Sequence, residues 1–428
     1  MEPAMTDPAD WSLRQASESI RTGVVSSRAY TEALLERIAD RDPAIEAWTH
    51  LDPEAALAAA DERDRAGGDG VLQGIPIGVK DIIDTADMPT AYGSPIHEGH
   101  RPAFDAAAMA AIRRAGGFAL GKTVTTEFAL HHPGKTANPH HPGHTPGGSS
   151  SGSAAAVATG MVPFAFGSQT AGSIIRPASF CGVVGYKASH GLIGLRGVHP
   201  LAQSLDTLGG FTREVSDLPL LRAALLGTDP APPEQPEAPR IGFCRTAQWP
   251  LADDDCRSAV ESAADRLASA GALVEECALP AAFDDLIDAQ FRILGYESSR
   301  ALLPERRHAP DRLSPGLRAQ LERGDEVSAE DYATAQALAA WARLAVTSLF
   351  GAYDLLLCPA APGEAPEGLD FTGDPLFNRM WTLLHGPAIS LPGATGTRGL
   401  PIGLQLVGPP GADESLIAAA DWIARRLD

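Results

Sequence analysis

Two glycine-rich segments of this chain carry serines in positions where hydroxyl chemistry is plausible on residue type alone. PGGSSSGSAAAV, Pro146 to Val157, sets Ser149, Ser150, Ser151 and Ser153 at the entry of a helix-like run, and GSQTAGSIIRPASFCGVVGYK, Gly167 to Lys187, places Ser173 on a second glycine turn. A serine hydroxyl becomes a nucleophile only when a base within hydrogen-bond reach takes its proton. GIPIGVKDIID, Gly74 to Asp84, reads as a buried apolar strand with Lys80 near its end. Taken singly, GGSSSGS also reads as a flexible linker and Lys80 as an ordinary strand-end lysine.

Three other patterns resemble sites and lack the surroundings those sites need. GGFALGKT, Gly116 to Thr123, spells a phosphate loop, which requires a strand before it and a helix after it. Here a helical run precedes and a strand follows, so Lys122 is read as a surface or strand-end lysine. GSSSG, Gly148 to Gly152, spells a nucleophile elbow around Ser150, but the loop HHPGHTPGG leads into it in place of an apolar strand. His131, His132, His140, His141 and His144 crowd one loop without HExxH spacing or a Cys or carboxylate partner. No metal and no cofactor is expected, and that loop is read as a polar rim in which Asn138 to Gly148 shape a substrate entrance.

In their order and spacing the segments resemble the amidase-signature family. Gly74–Asp84 is similar to its lysine segment, Pro146–Val157 to its Gly-Gly-Ser-Ser signature, Gly167–Lys187 to its nucleophile segment, and GLPIGLQLVG, Gly399 to Gly408, to its closing strand. The resemblance implies Ser173 as nucleophile, Ser149 as a bridging serine after a cis peptide, and Lys80 as terminal base. It also implies an oxyanion hole in the turn Thr170, Ala171, Gly172, Ser173. Lysine serves as a base only when neutral, and burial together with the positive end of a helix following Ser149 pushes its pKa down. Backbone donors aimed at a tetrahedral oxyanion are worth roughly 2.7 to 4 kcal/mol each.

Two positions depart from the commonest family pattern. Ala171 replaces the first of two glycines, and Ile175 stands where many members have Arg, with Arg176 next, as in a malonamidase-like branch. Arg176 either holds a substrate carboxylate through a bidentate pair or serves internally by pairing with an acid or capping carbonyls. The residues leave both open. Gly148 and Ser150 join Arg176 as candidate substrate-binding positions, and Phe377 to His385, FNRMWTLLH, adds Trp381 as a pocket or core residue. Cys181 is read as a small buried hydrophobe and not a rival nucleophile.

The expected activity is hydrolysis of a small amide to carboxylate and ammonia through an acyl-Ser173 intermediate, with carboxylate-bearing substrates favoured if Arg176 meets them. One alternative is the glutaminase subunit of a tRNA-dependent amidotransferase, against which the acidity and the Ile175-Arg176 order count. Another is a noncatalytic binding protein on the same scaffold, against which intact Lys80, Ser149 and Ser173 count.

These segments need a large frame. Residues 1–65 show surface-helix periodicity, 66–227 hold the motifs, 228–240 form a Pro-rich connector, and 241–428 supply the strand candidates IGFC, ALVEEC, DLLLCPA, PAISLP and PIGLQLVG. Asp105 is placed to cap the helix AAAMAAIRRA. Strand and helix signals alternate on both sides of the connector, which predicts an α/β fold in one domain over 1–428, a single large mixed sheet flanked on both faces by helices.

The 428 residues are 44% hydrophobic and 21% charged, a globular composition, with 34 basic against 54 acidic residues for a net charge of -20. Such acidity repels nucleic acid and anionic membranes. The most apolar run, Ala154 to Gly167, is shorter than the 18 to 20 or so residues that a spanning helix needs. Five cysteines without a CxxC pair, and acids where a signal peptide needs bases, point to a soluble protein of the reducing cytoplasm. The expected partner is a small amide, with a homodimer as the default assembly.

Overall fold

The computed structural model describes residues 7–130, 132–231 and 238–427. His131 and residues 232–237 of the connector lie outside them. Eleven strands form one sheet: β1 Trp48–Leu51, β2 Pro76–Lys80, β3 Phe118–Thr123, β4 Phe164–Gln169, β5 Val184–Lys187, β6 Thr207–Thr212, β7 Arg240–Phe243, β8 Leu273–Glu276, β9 Leu355–Pro359, β10 Ala388–Thr395 and β11 Pro401–Val407. Their order is β1-β3-β2-β4-β6-β5-β10-β11-β9-β7-β8. The pairs β2/β3, β2/β4, β7/β8 and β7/β9 run parallel and the other six antiparallel. Strands from both sides of the connector thus meet in a mixed sheet, joined at the β5/β10 pair, and helices flank it as expected.

The centre of the sheet is paved with glycine. A Cβ on Gly209 of β6 would lie 1.9 Å from the Tyr186 carbonyl oxygen, and one on Gly210 would lie 2.4 Å from the Phe164 ring. The short helices Ser151–Ala158 and Ile175–Cys181 pack here, and no residue of their sequences SGSAAAV and IRPASFC is exposed. A helix apolar on all sides belongs in a core. Each serine-bearing loop therefore sits directly before a buried helix on the central strands, where its backbone is held from both ends.

The expected helix after Asp105 begins at Ala107, but Asp105 does not cap it. Its carboxylate is taken by Arg113 Nε at 2.8 Å and by the Ala86 N–H at 2.9 Å. The apolar run Ala154–Gly167 divides into the end of one buried helix and the start of β4, with Gly160 in the left-handed region between them. No described helix is long and apolar enough to cross a membrane. Between β8 and β9 a helical layer intervenes, and its helix Leu286–Ala301 brings Gln290 and Leu294 to the site.

Candidate active site

Lys80 is the last residue of β2 and is wholly buried. Its Nζ lies 2.7 Å from Ser149 Oγ and 2.9 Å from Ser168 Oγ on β4. Burial pushes the Lys80 pKa well below the ordinary lysine range, and the nearby Asp206 carboxylate opposes that fall only in part. A neutral amine keeps a lone pair, so Lys80 can accept the Ser149 proton while donating to Ser168. The Gly148–Ser149 peptide is cis, and the Ser149 carbonyl accepts from the Thr126 N–H at 3.2 Å.

Ser149 and Ser173 line the same cleft, whose volume is about 460 Å³ with its open mouth included. Before Ser173 the turn is fixed through its carbonyls. Gln290 Nε2 donates to the Thr170 carbonyl at 3.1 Å, Thr382 Oγ1 to Ala171 at 2.7 Å, and the Arg176 N–H to Gly172 at 3.0 Å. Gln169 Oε1 accepts from the N–H groups of Ile174 and Ile175 at 2.8 and 3.0 Å, which seats the following helix. Among the described residues no acceptor takes the N–H groups of Ala171, Gly172 and Ser173. Three unused donors on an immobilised turn beside a hydroxyl are what an oxyanion requires.

Gly172 is fixed by space, because a Cβ there would lie 2.3 Å from Asn378 Oδ1 and 2.7 Å from Pro375 Cβ. Ala171 lines the cleft, where its methyl is accommodated. Thr170 Oγ1 donates to Asp206 at 2.6 Å, and Asp206 also accepts from the Leu201 and Ala202 N–H groups. Burial raises the Asp206 carboxyl to about 6 in spite of these bonds.

Both internal and cleft-facing surroundings are found for Arg176. Its Nη2 donates to the Gly148 carbonyl at 2.6 Å and to Thr372 Oγ1 at 3.2 Å, while Nε and Nη1 have no hydrogen-bond partner among the described residues although the residue lines the cleft. A second arginine, Arg379, lines the same cleft. Its Nη1 donates to Gln290 at 2.7 Å, its guanidinium lies 3.8 Å from the Phe291 ring centre, and its Nε is buried without a partner among the described residues. Burial lowers Arg176 to about 9, with repulsion from Arg379 second, and burial lowers Arg379 to about 10.

The remaining expectations resolve by placement. Ser150 does not line the cleft; its hydroxyl donates to the Ser168 carbonyl at 3.3 Å. Gly148 contributes the carbonyl that Arg176 holds. Lys122 is a buried residue of β3 and not a surface lysine, donating to the Ile83 carbonyl and to Thr90. His140 and His144 are turned to the carbonyls of Cys181 and Ala365, and no described residue of 132–148 lines the cleft, contrary to the expected His-rich rim. Trp381 packs in the core. Cys181 is buried, which raises its thiol and leaves it unreactive.

Sequence reasoning missed Ser168, Gln169, Asp206, Gln290, Thr382 and Arg379. Arg379 had a legible signal, a lone cation inside FNRMWTLLH, and Trp381 drew the attention instead. Gln290 and Thr382 reach the turn from distant helices and left no local signal.

A lysine amine on one serine and a second serine on a turn of free N–H groups, both held by a large mixed sheet, are parts that suit a serine hydrolase. The chain belongs to the amidase family, whose profile matches residues 29–417. A glutamyl-tRNA(Gln) amidotransferase subunit from Synechococcus sp. (strain RCC307) is 32% identical over 468 residues, covering 96% of each chain. A crystal structure of an amidase superposes with a TM-score of 0.89 at 30% identity, covering 98% of this chain and 100% of the other. The 6-aminohexanoate cyclic dimer hydrolase solved with its substrate gives 0.88 at 25% identity, covering 99% and 98%. The protein is an amidase, acting on carbon-nitrogen amide bonds.

Proposed function

We propose that this amidase hydrolyses a small primary amide bearing a carboxylate, through an ester on Ser173. Ser173 Oγ attacks the amide carbon and its proton passes to Ser149, whose own proton moves to neutral Lys80. The oxyanion meets the N–H groups of Ala171, Gly172 and Ser173. Collapse breaks the C–N bond, the proton returns through Ser149 to the leaving nitrogen, and ammonia departs. Water then repeats the sequence on the ester and releases the carboxylate.

The observation that carries the substrate class is the pair of buried guanidinium groups, Arg176 and Arg379, on the cleft that holds Ser173. Buried cations without full partners are costly, and a substrate carboxylate would supply what they lack. A hydrogen bond to a charged group contributes about 1.5 to 3 kcal/mol, or roughly 10- to 150-fold in kcat/KM. Arg379→Met is therefore expected to lower kcat/KM for malonamate by about that factor more than for malonamide, which reports any loss that comes through Gln290 and the turn it holds. Ammonia release from both substrates measures the ratio, and equal losses would remove the carboxylate from the reading. Arg176 holds the Gly148 carbonyl as Arg379 holds Gln290, so for either arginine the ratio of the two substrates, and not the loss on one, is the reading.

The likeness to a component of an amidotransferase supports a second reading, glutamine hydrolysis in service of a partner protein. Turnover of malonamate by the isolated chain decides for the first. Glutamine turnover that appears only on addition of a partner decides for the second.

A further inference from the structure

We infer that His97, His199 and Glu305 form a binding site for a divalent cation of the zinc type. One donor atom from each of the three lies within 4.8 Å of the others. His97 Nε2 is 3.2 Å and His199 Nε2 3.7 Å from the same oxygen, Glu305 Oε1. Zinc bonds of about 2.0 to 2.1 Å at tetrahedral angles set donors roughly 3.4 Å apart, and the two histidine-to-carboxylate spacings fall on either side of that value. Glu305 is 8% exposed, and its second oxygen, Oε2, is buried with no hydrogen-bond partner among the described residues. Two imidazoles and a carboxylate, with a fourth position left to water, are a donor set that zinc takes readily.

The surroundings hold the donors in place. The His97 ring stands edge-on to Tyr92 at 5.0 Å and to Phe128 at 5.9 Å, and His199 lies 4.6 and 5.1 Å from the same two rings. The backbone N–H of His199 donates to the Ile82 carbonyl at 2.9 Å. No sequence motif announces the site, because its members come from the turn Pro95–His97, the loop between β5 and β6, and the helix Leu303–His308. The expectation of no metal rested on the His-rich loop, which contributes nothing here.

A cation would fasten the helical layer to the core behind the cleft. Phe128 directly precedes Ala129, which lines the cleft, and His199 lies two residues before Leu201, which does so too. None of the three donors lines the cleft itself. The metal thus braces the wall and takes no part in the chemistry of Ser173.

The test uses the full chain, stripped with a chelator and dialysed, then titrated with Zn²⁺ in competition with a chelating dye. One tight equivalent per chain and a rise in Tm are expected. His199→Ala and Glu305→Gln are each expected to weaken binding at least about 100-fold, beyond the 10- to 100-fold typical of groups outside the ligand set. His141→Ala, in the His-rich loop, is expected to leave it unchanged. Co²⁺ substitution gives an independent reading, since a tetrahedral site shows strong visible d–d absorption in wild type that should vanish in either variant, even if one of them folds poorly. Wild-type protein that binds no stoichiometric Zn²⁺, or folded variants that bind as wild type does, would overturn the inference.

Discussion

Ser173→Ala is expected to lower kcat for amide hydrolysis by at least about 10⁴-fold, with KM and Tm close to wild type. The hydroxyl lies on the cleft and makes no hydrogen bond to any described residue, so its loss leaves no buried partner unsatisfied. The turn that follows β4 is held by Gln169, Gln290, Thr382 and the Arg176 N–H, none of which depends on the Ser173 side chain. What remains is stabilisation by the N–H groups without a nucleophile, a residue of catalysis that serine hydrolases retain after losing a triad member. Ammonia release by the folded variant is the measurement. A loss of tenfold or less would move the nucleophile elsewhere.

Lys80→Met should cost about 10³- to 10⁴-fold in kcat, near the upper range for general acid-base catalysis, and should also change two pH profiles. Only the neutral amine accepts a proton, so wild-type kcat/KM climbs with pH through the depressed Lys80 value and levels above it. The variant should lose that limb. Stability responds as well. An unfolded lysine keeps its proton to about pH 10.4, whereas buried Lys80 gives it up at lower pH. Between those values the unfolded chain binds more protons, and folding stability rises with pH. Lys122 and Lys187, both lowered by burial to about 8, add to the wild-type slope and remain in the variant. Urea midpoints measured from neutral to alkaline pH should therefore climb less steeply in Lys80→Met, and an unchanged slope would contradict burial of a neutral amine.

Much of the frame was readable because its signals are local. Short apolar runs gave β2, β3, β7, β8, β9, β10 and β11, and the alternation around the connector gave a single mixed sheet. The centre was harder. FAFGSQ, VGYK and TLGGFT carry glycines that weaken any strand signal, yet a Cβ at Gly209 or Gly210 would strike Tyr186 or Phe164. Those glycines are present because strands and helices crowd together there, a reason that exists only in three dimensions.

The site divides along the same line. Lys80, Ser149 and Ser173 stand in motifs whose order carried them, and the structure brings Lys80 onto Ser149 and both serines onto one cleft. Gln290 and Thr382 hold the turn before Ser173 from 120 and 211 residues away, and Arg379 joins Arg176 only through tertiary packing. Asp105 shows the opposite failure: a sound local rule for a helix cap lost to Arg113, which offered its carboxylate a better partner.

Every step proposed for the cleft passes through an ester at Ser173. The most direct test is to mix wild-type protein with a carboxylate-bearing amide, quench in acid within the first turnovers, and map the adduct by peptide mass spectrometry. An acyl group on the Ser173 peptide, absent from Ser173→Ala, is the predicted result. An acyl group on Ser149 or Ser150, or rapid turnover with no adduct on any serine, would contradict it.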